Sequence, residues 1–180
     1  MNLNQQLTPN FKYYEMVRSD TATRFGIDNI PVDEYIVNFT TLCKCVLERI
    51  RSNYKRPWNK HYIKVLSGYR NNALNIRVGS TNTKSQHKFG EAADFKVKGI
   101  DVNDVFKWTI FSDIDFDQII SEFVSEDGRE GWIHISYKRN GINRNKVSIA
   151  KKILPMGSKK LITKYYHFKR SDILKGKIIL

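Results

Sequence analysis

The chain has 180 residues, 41% hydrophobic and 27% charged, enough for one domain with its own core. No run approaches the roughly 18 uncharged apolar residues that cross a bilayer, and the polar start "MNLNQQLTPN" lacks the apolar segment of a secretory signal. The net charge of +13 is uneven: from Lys138 onward there are 13 basic residues and one acid, Asp172, which describes a basic tail or patch and argues against a nucleic-acid surface spread over the whole domain.

In chain order, residues 11–31 predict a short helix, a turn at Gly26 and a stop before Pro31. The run "VDEYIVNFTTLCKCVLERIRSNYKRP" carries apolar residues at spacings of three and four, from Ile36 through Phe39, Leu42, Val46 and Leu47 to Ile50. That spacing predicts an amphipathic helix packed on the core, with Asp33 near its start and Arg49 and Arg51 near its end to suit the dipole. Cys43 and Cys45 lie two apart in it and face different directions, so both are expected as reduced thiols. A strand is expected at about 61–67, a loop with a helical turn near Asn72–Val78, and a strand in "EAADFKV". A helix follows in "DVNDVFKWTIFSD". Strands in "FDQIISEFV" and "WIHISYK" then flank the acidic turn "SEDGREG". Residues 141–152 are expected to form a helix or an irregular arm. The class is α+β, a single domain with N-terminal helices on a small, mainly antiparallel sheet. The expected division is a folded domain over 1–150 and a basic extension over 151–180.

The chemistry concentrates in four histidines and one strand carboxylate. A lone histidine is more often a hydrogen-bonding residue than a ligand. Asp94 in "AADFKV" is harder to dismiss, because a carboxylate on a half-buried strand needs a partner or a metal. Strand alternation puts Ala92, Asp94 and Lys96 on one face, and Trp132, His134 and Ser136 on one face of another strand. His87 precedes the first of these strands, with Gly90 to turn the loop. Two imidazoles and one carboxylate form a common catalytic zinc set with a fourth position left open. Alternation also turns Glu91 away from Asp94.

The segments "SGYR" at 67–70, "SQHKFGEAADF" at 85–95, "FDQIISEF" at 116–123 and "WIHISY" at 132–137, in that order, resemble the D-alanyl-D-alanine carboxypeptidase family of zinc peptidases. That family includes phage endolysin peptidases and has the hedgehog/DD-peptidase fold. The resemblance spans about residues 11–147. It implies zinc as cofactor, with His87, Asp94 and His134 as ligands. It further implies Arg70 as the residue that contacts substrate and the developing oxyanion, and Ser85 as a substrate contact. For Arg70 the alternative is a surface ion pair or a loop brace, and for Ser85 a loop cap.

Several relatives carry an acid three residues before the last histidine, where this chain has Gly131. Two replacements are available for the general base. Glu122 pairs directly with His134 if the hairpin is symmetric about Gly128; Glu130, four residues before His134, could reach in from the turn. The implied substrate is the peptidoglycan stem peptide, cut as a D-Ala-D-Ala carboxypeptidase or as an L-Ala-D-Glu endopeptidase. The competing reading is a non-catalytic zinc-bearing binding or virion protein on the same fold. The tail, which interleaves basic residues with Tyr165, Tyr166 and Phe168, is expected to hold anionic wall polymer or to pack on the domain, ahead of any role with nucleic acid. His61 and His167 match no motif and are set aside as ligands. A monomer is expected, with no membrane partner, made in the cytoplasm and acting at the bacterial wall as a phage product released at lysis or carried in the virion.

Overall fold

A computed structural model describes residues 2–54, 61–80, 82–158 and 160–179. A short two-stranded ribbon, β1 (Gln6–Thr8) and β2 (Phe11–Lys12), opens into helices α1 (Tyr13–Val17) and α2 (Asp20–Arg24). The long amphipathic run forms α3 (Asp33–Leu42), a π-helical segment at Cys43–Leu47 and α4 (Glu48–Tyr54); its last expected residues, 55–57, lie outside the described residues. The acids Asp33 and Glu34 in the first turn complement the helix dipole. The wider π turn re-phases the helix, so that Leu42, Cys43, Val46, Leu47 and Ile50 are all fully buried. Both cysteines are free thiols.

The rest of the chain builds one six-stranded sheet. Its strands are β3 (Ile63–Ser67), β4 (Ala92–Val97), β5 (Gln118–Glu122), β6 (Trp132–Ser136), β7 (Lys146–Ile153) and β8 (Ile162–Lys169), in the spatial order β3-β4-β6-β5-β7-β8. Helices α5 (Asn72–Arg77), α6 (Val102–Phe111) and α7 (Arg170–Leu174) complete the fold. All neighbouring strands pair antiparallel except β5 with β7, which run parallel. The class is therefore α+β with a mainly antiparallel sheet, as the sequence indicates.

Alternation decides what each face holds. Val65, Phe95, Ile133, Ile135, Ile119 and Val147 point to the helices and join Phe39, Leu42, Val46, Phe106 and Ile110 in one core. The opposite face carries Asp94, directly across from His134, and His134 directly across from Ile120.

Two expectations need correction. Residues 141–152 are not a helix, and only 141–145 are irregular: Lys146–Ile153 is a strand, and its pairing with β8 extends the sheet. The division expected at residue 150 falls inside that strand. Lys146 and the adjacent, exposed Lys151 and Lys152 disguised it, while Val147 and Ile149 supplied the apolar face. The β5–β6 hairpin is also shifted from the expected symmetry. Glu122 stands opposite Trp132, and Ile120 opposite His134. Because the offset is two residues rather than one, Glu122 stays on the His134 face and becomes its diagonal neighbour.

Candidate metal centre

Three separate pieces of backbone bring the site together. His87 sits in a 3-10 turn, Gln86–Phe89, closed by Gly90 at φ 68°. A Cβ at Gly90 would lie 2.3 Å from the Tyr35 carbonyl oxygen, so only glycine lets this turn press on α3. The buried Asn38 of α3 donates to the Phe89 carbonyl at 2.9 Å and accepts from Arg139 Nε at 3.0 Å. The turn is thus clamped from two sides. On the third side the Arg70 amide donates to the His87 carbonyl at 3.1 Å.

His87 is oriented by its other ring nitrogen: Nδ1 lies 2.7 Å from the Gly68 carbonyl, which can only accept, so Nδ1 carries the proton. Burial pushes the His87 pKa below its ordinary value and outweighs the opposing pull of Asp94. The ring is therefore neutral near pH 7, and Nε2 presents a lone pair. That atom lies 3.1 Å from His134 Nδ1 and 3.3 Å from Asp94 Oδ1. His134 Nδ1 is 2.9 Å from the same carboxylate oxygen. Burial alone would raise the Asp94 carboxyl, but His87 and His134 more than reverse this and hold it well below the usual carboxylate range.

Three candidate ligand atoms thus converge within 3.3 Å of one another. Zinc bonds of about 2.0–2.1 Å at a tetrahedral angle separate ligand atoms by about 3.3 Å, close to the spacings found. His87, Asp94 and His134 form a group of the kind that holds a metal ion. The donor set and its spacing fit zinc.

Two further side chains stand beside the three. Arg70, with a side chain only 16% exposed, places a terminal nitrogen 3.6 Å from Asp94 Oδ2. Its Nε is buried with no partner among the described residues, a state that costs about 1–3 kcal/mol. Glu122 closes β5. Burial raises its carboxyl above the ordinary value, and the Asp94 charge raises it further against the opposing effects of His134 and Arg70. The indole N–H of Trp132, buried and without a hydrogen bond of good geometry, lies near enough to that carboxyl to favour its charged form. The residue after Glu122, Phe123, has φ 54°, an uncommon value for an aromatic residue, and it turns the chain sharply away from the site.

Gly131 explains why no acid occupies its position. It has φ 75°, and a Cβ there would lie 2.5 Å from the Glu122 carbonyl and 2.6 Å from the Val124 backbone. Glu130 is exposed in the turn, its amide donating to Ser125 Oγ at 3.0 Å, and among the described residues no contact links its side chain to the three ligands. Ser85 precedes the 3-10 turn without capping it through its side chain, and its half-buried hydroxyl has no partner among the described residues. Glu91 accepts instead from Gln86 Nε2 at 3.2 Å. His61 lies at the surface against the Lys98 carbonyl. Residues that the sequence reading left aside also reach this face. His167 Nδ1 lies 2.9 Å from Ser148 Oγ, and its ring stacks on Tyr165 at 6.2 Å and 11°. The signal for them was the period-two alternation of "KVSIAKKI" and "ITKYYHFK".

No curated protein matches the chain. The family model described as peptidase M15 matches residues 9–136, well over half of the chain and all of the segment from β2 to β6. With a zinc-type ligand set assembled inside that segment, the chain belongs to the peptidase M15 family of zinc metallopeptidases.

Proposed function

We propose that the protein hydrolyses peptidoglycan stem peptides, at D-Ala-D-Ala as a carboxypeptidase or at L-Ala-D-Glu as an endopeptidase, in phage-type degradation of the bacterial wall. The observation that carries this reading is the convergence of His87 Nε2, Asp94 Oδ1 and His134 Nδ1 within 3.3 Å of one another, with one raised carboxyl and one under-bonded guanidinium beside them.

His87 Nε2, His134 Nδ1 and Asp94 Oδ1 would hold the zinc, which when bound supplies a Lewis acid and acidifies water. Gly68 fixes the His87 tautomer that binding requires. Glu122 is the general base: it accepts the proton of the attacking water and returns it to the leaving amine nitrogen. A half-buried carboxyl with a raised pKa suits a group that must both take and give a proton. Arg70 aims its free Nε and terminal nitrogens at the oxyanion that forms on the carbonyl oxygen, and recovers there the hydrogen bond it lacks in the free protein. The unpartnered Ser85 hydroxyl is placed to bond the substrate backbone. The binding-only reading requires an acid turned away from the ligands, and Glu122 lies on their face.

The test is mass analysis of muropeptides incubated with the protein, with and without a chelator. Loss of D-Ala or cleavage within the stem, abolished by the chelator and restored by zinc, is the expected result. Glu122→Gln should retain one zinc and lose on the order of 10²–10⁴-fold in turnover. Unchanged muropeptides in the presence of bound zinc would overturn the activity; full turnover in Glu122→Gln would overturn the base.

A further inference from the structure

The match to the peptidase family ends at residue 136, yet the sheet does not. Strands β7 and β8 continue it on the Glu122 side, and their register is unbroken. One row of directly opposed residues runs Trp132, Glu122, Ala150, Tyr165; the next runs Asp94, His134, Ile120, Ser148, His167. Residues in one row share a face, so Tyr165 and His167 stand over the same surface as the ligands. Neighbouring strands lie about 4.8 Å apart, which puts Tyr165 about two strand widths from Glu122 with only the Ala150 methyl between them. Ala150 and Ser148 are 1% and 0% exposed, so the ground between Glu122 and the two rings is fully covered. His167 is tied down by Ser148 and stacked nearly parallel with Tyr165.

We propose that the β7–β8 hairpin is the substrate-reading wall of the metal cleft, and that the Tyr165 ring, backed by His167, binds the peptide next to the scissile bond on the Glu122 side.

Several observations support it. Burial raises the Tyr165 phenol above its ordinary value, and the next causes are the charges of Glu122 and Asp94, which places the hydroxyl within their electrostatic reach. The phenol keeps its proton and is a hydrogen-bond donor at the edge of an anionic centre. Tyr165 remains 46% exposed, with no hydrogen bond to its hydroxyl among the described residues, so both ring face and donor are open to a ligand. An aromatic face with a polar tip is the side chain that gains most from binding an extended peptide at low entropic cost. On the same face Lys146, Lys152 and Lys169 make no ion pairs among the described residues, which suits a peptide bearing free carboxylates. Tyr166, next in the chain and similarly exposed, points to the other face and provides an internal control.

The inference rests on the peptidase reading for the identity of the ligand, so its test measures binding rather than turnover. Zinc-loaded Glu122→Gln protein is titrated calorimetrically with a soluble stem pentapeptide ending in D-Ala-D-Ala. Adding Tyr165→Ala should weaken binding at least about tenfold, and Tyr165→Phe by less, while zinc content and Tm stay unchanged. Adding Tyr166→Ala should leave the affinity within about twofold. Equal affinity with and without the Tyr165 ring, an equal loss on removing Tyr166, or no pentapeptide binding by any form would overturn the proposal. If the wild type cuts no muropeptide while the pentapeptide still binds through Tyr165, the activity falls and this inference stands.

Discussion

At the scale of single residues, the site is governed by what surrounds each polar atom more than by its identity. His87 turns its Nε2 to the cluster because the Gly68 carbonyl accepts a hydrogen bond from its other nitrogen, and burial leaves the Arg70 Nε without a partner among the described residues. Gly131 belongs with them, although it carries no chemistry. Its φ is positive, and a methyl group there would lie 2.5 Å from the Glu122 carbonyl oxygen, so there is no volume for one. Gly131→Ala is expected to lower stability by about 2–4 kcal/mol and to displace the end of β5. Chemical denaturation would show this as a lower midpoint with an unchanged slope; a midpoint equal to that of the wild type would contradict the steric argument.

At the scale of elements, the connection from β6 to β7 has to cross from one side of β5 to the other, and a buried carboxylate anchors it. Asp117, 0% exposed, accepts from Arg144 Nε at 2.9 Å and from the Arg144 amide at 3.2 Å, with Arg144 Nη2 and Lys138 Nζ also paired to it. Burial would raise its pKa, but the bonds from Arg144 outweigh burial and lower it. A depressed folded-state pKa adds stability above the unfolded value of about 3.9, and that stability is lost as pH falls through the lower folded value. Asp117→Asn should therefore cost about 2–3 kcal/mol at pH 7, less than a fully buried pair because Arg144 is half exposed. The difference from wild type should shrink as pH falls below about 4. Denaturation midpoints across that range would test it, and a difference that does not vary with pH would count against it.

At the scale of the whole molecule, the sequence showed most clearly those parts whose pattern has one physical cause. Period-two alternation placed Asp94 and His134 on one face, and the helical spacing around Phe39 and Leu42 located the core. Register was less legible, because the hairpin's centre depends on a turn containing two positive-φ glycines, Gly128 and Gly131, and on the left-handed Phe123. The last two strands were hidden by their five lysines, at 146, 151, 152, 164 and 169, since a strand with so much solvent-facing charge can still bury Val147 and pack Phe168. The same arrangement fixes Glu122 on a strand held by main-chain ladders on both sides, β6 and β7, and not on the turn beyond it. With Glu122 as the proposed base, turnover should not depend on covalent continuity of that turn. A recognition sequence for a site-specific protease, inserted after the exposed Glu126, would let the chain be severed there after folding. The two fragments should stay joined through the sheet, keep their zinc and keep most of their turnover. Loss of turnover with the metal retained would move the base into the turn, to Glu130.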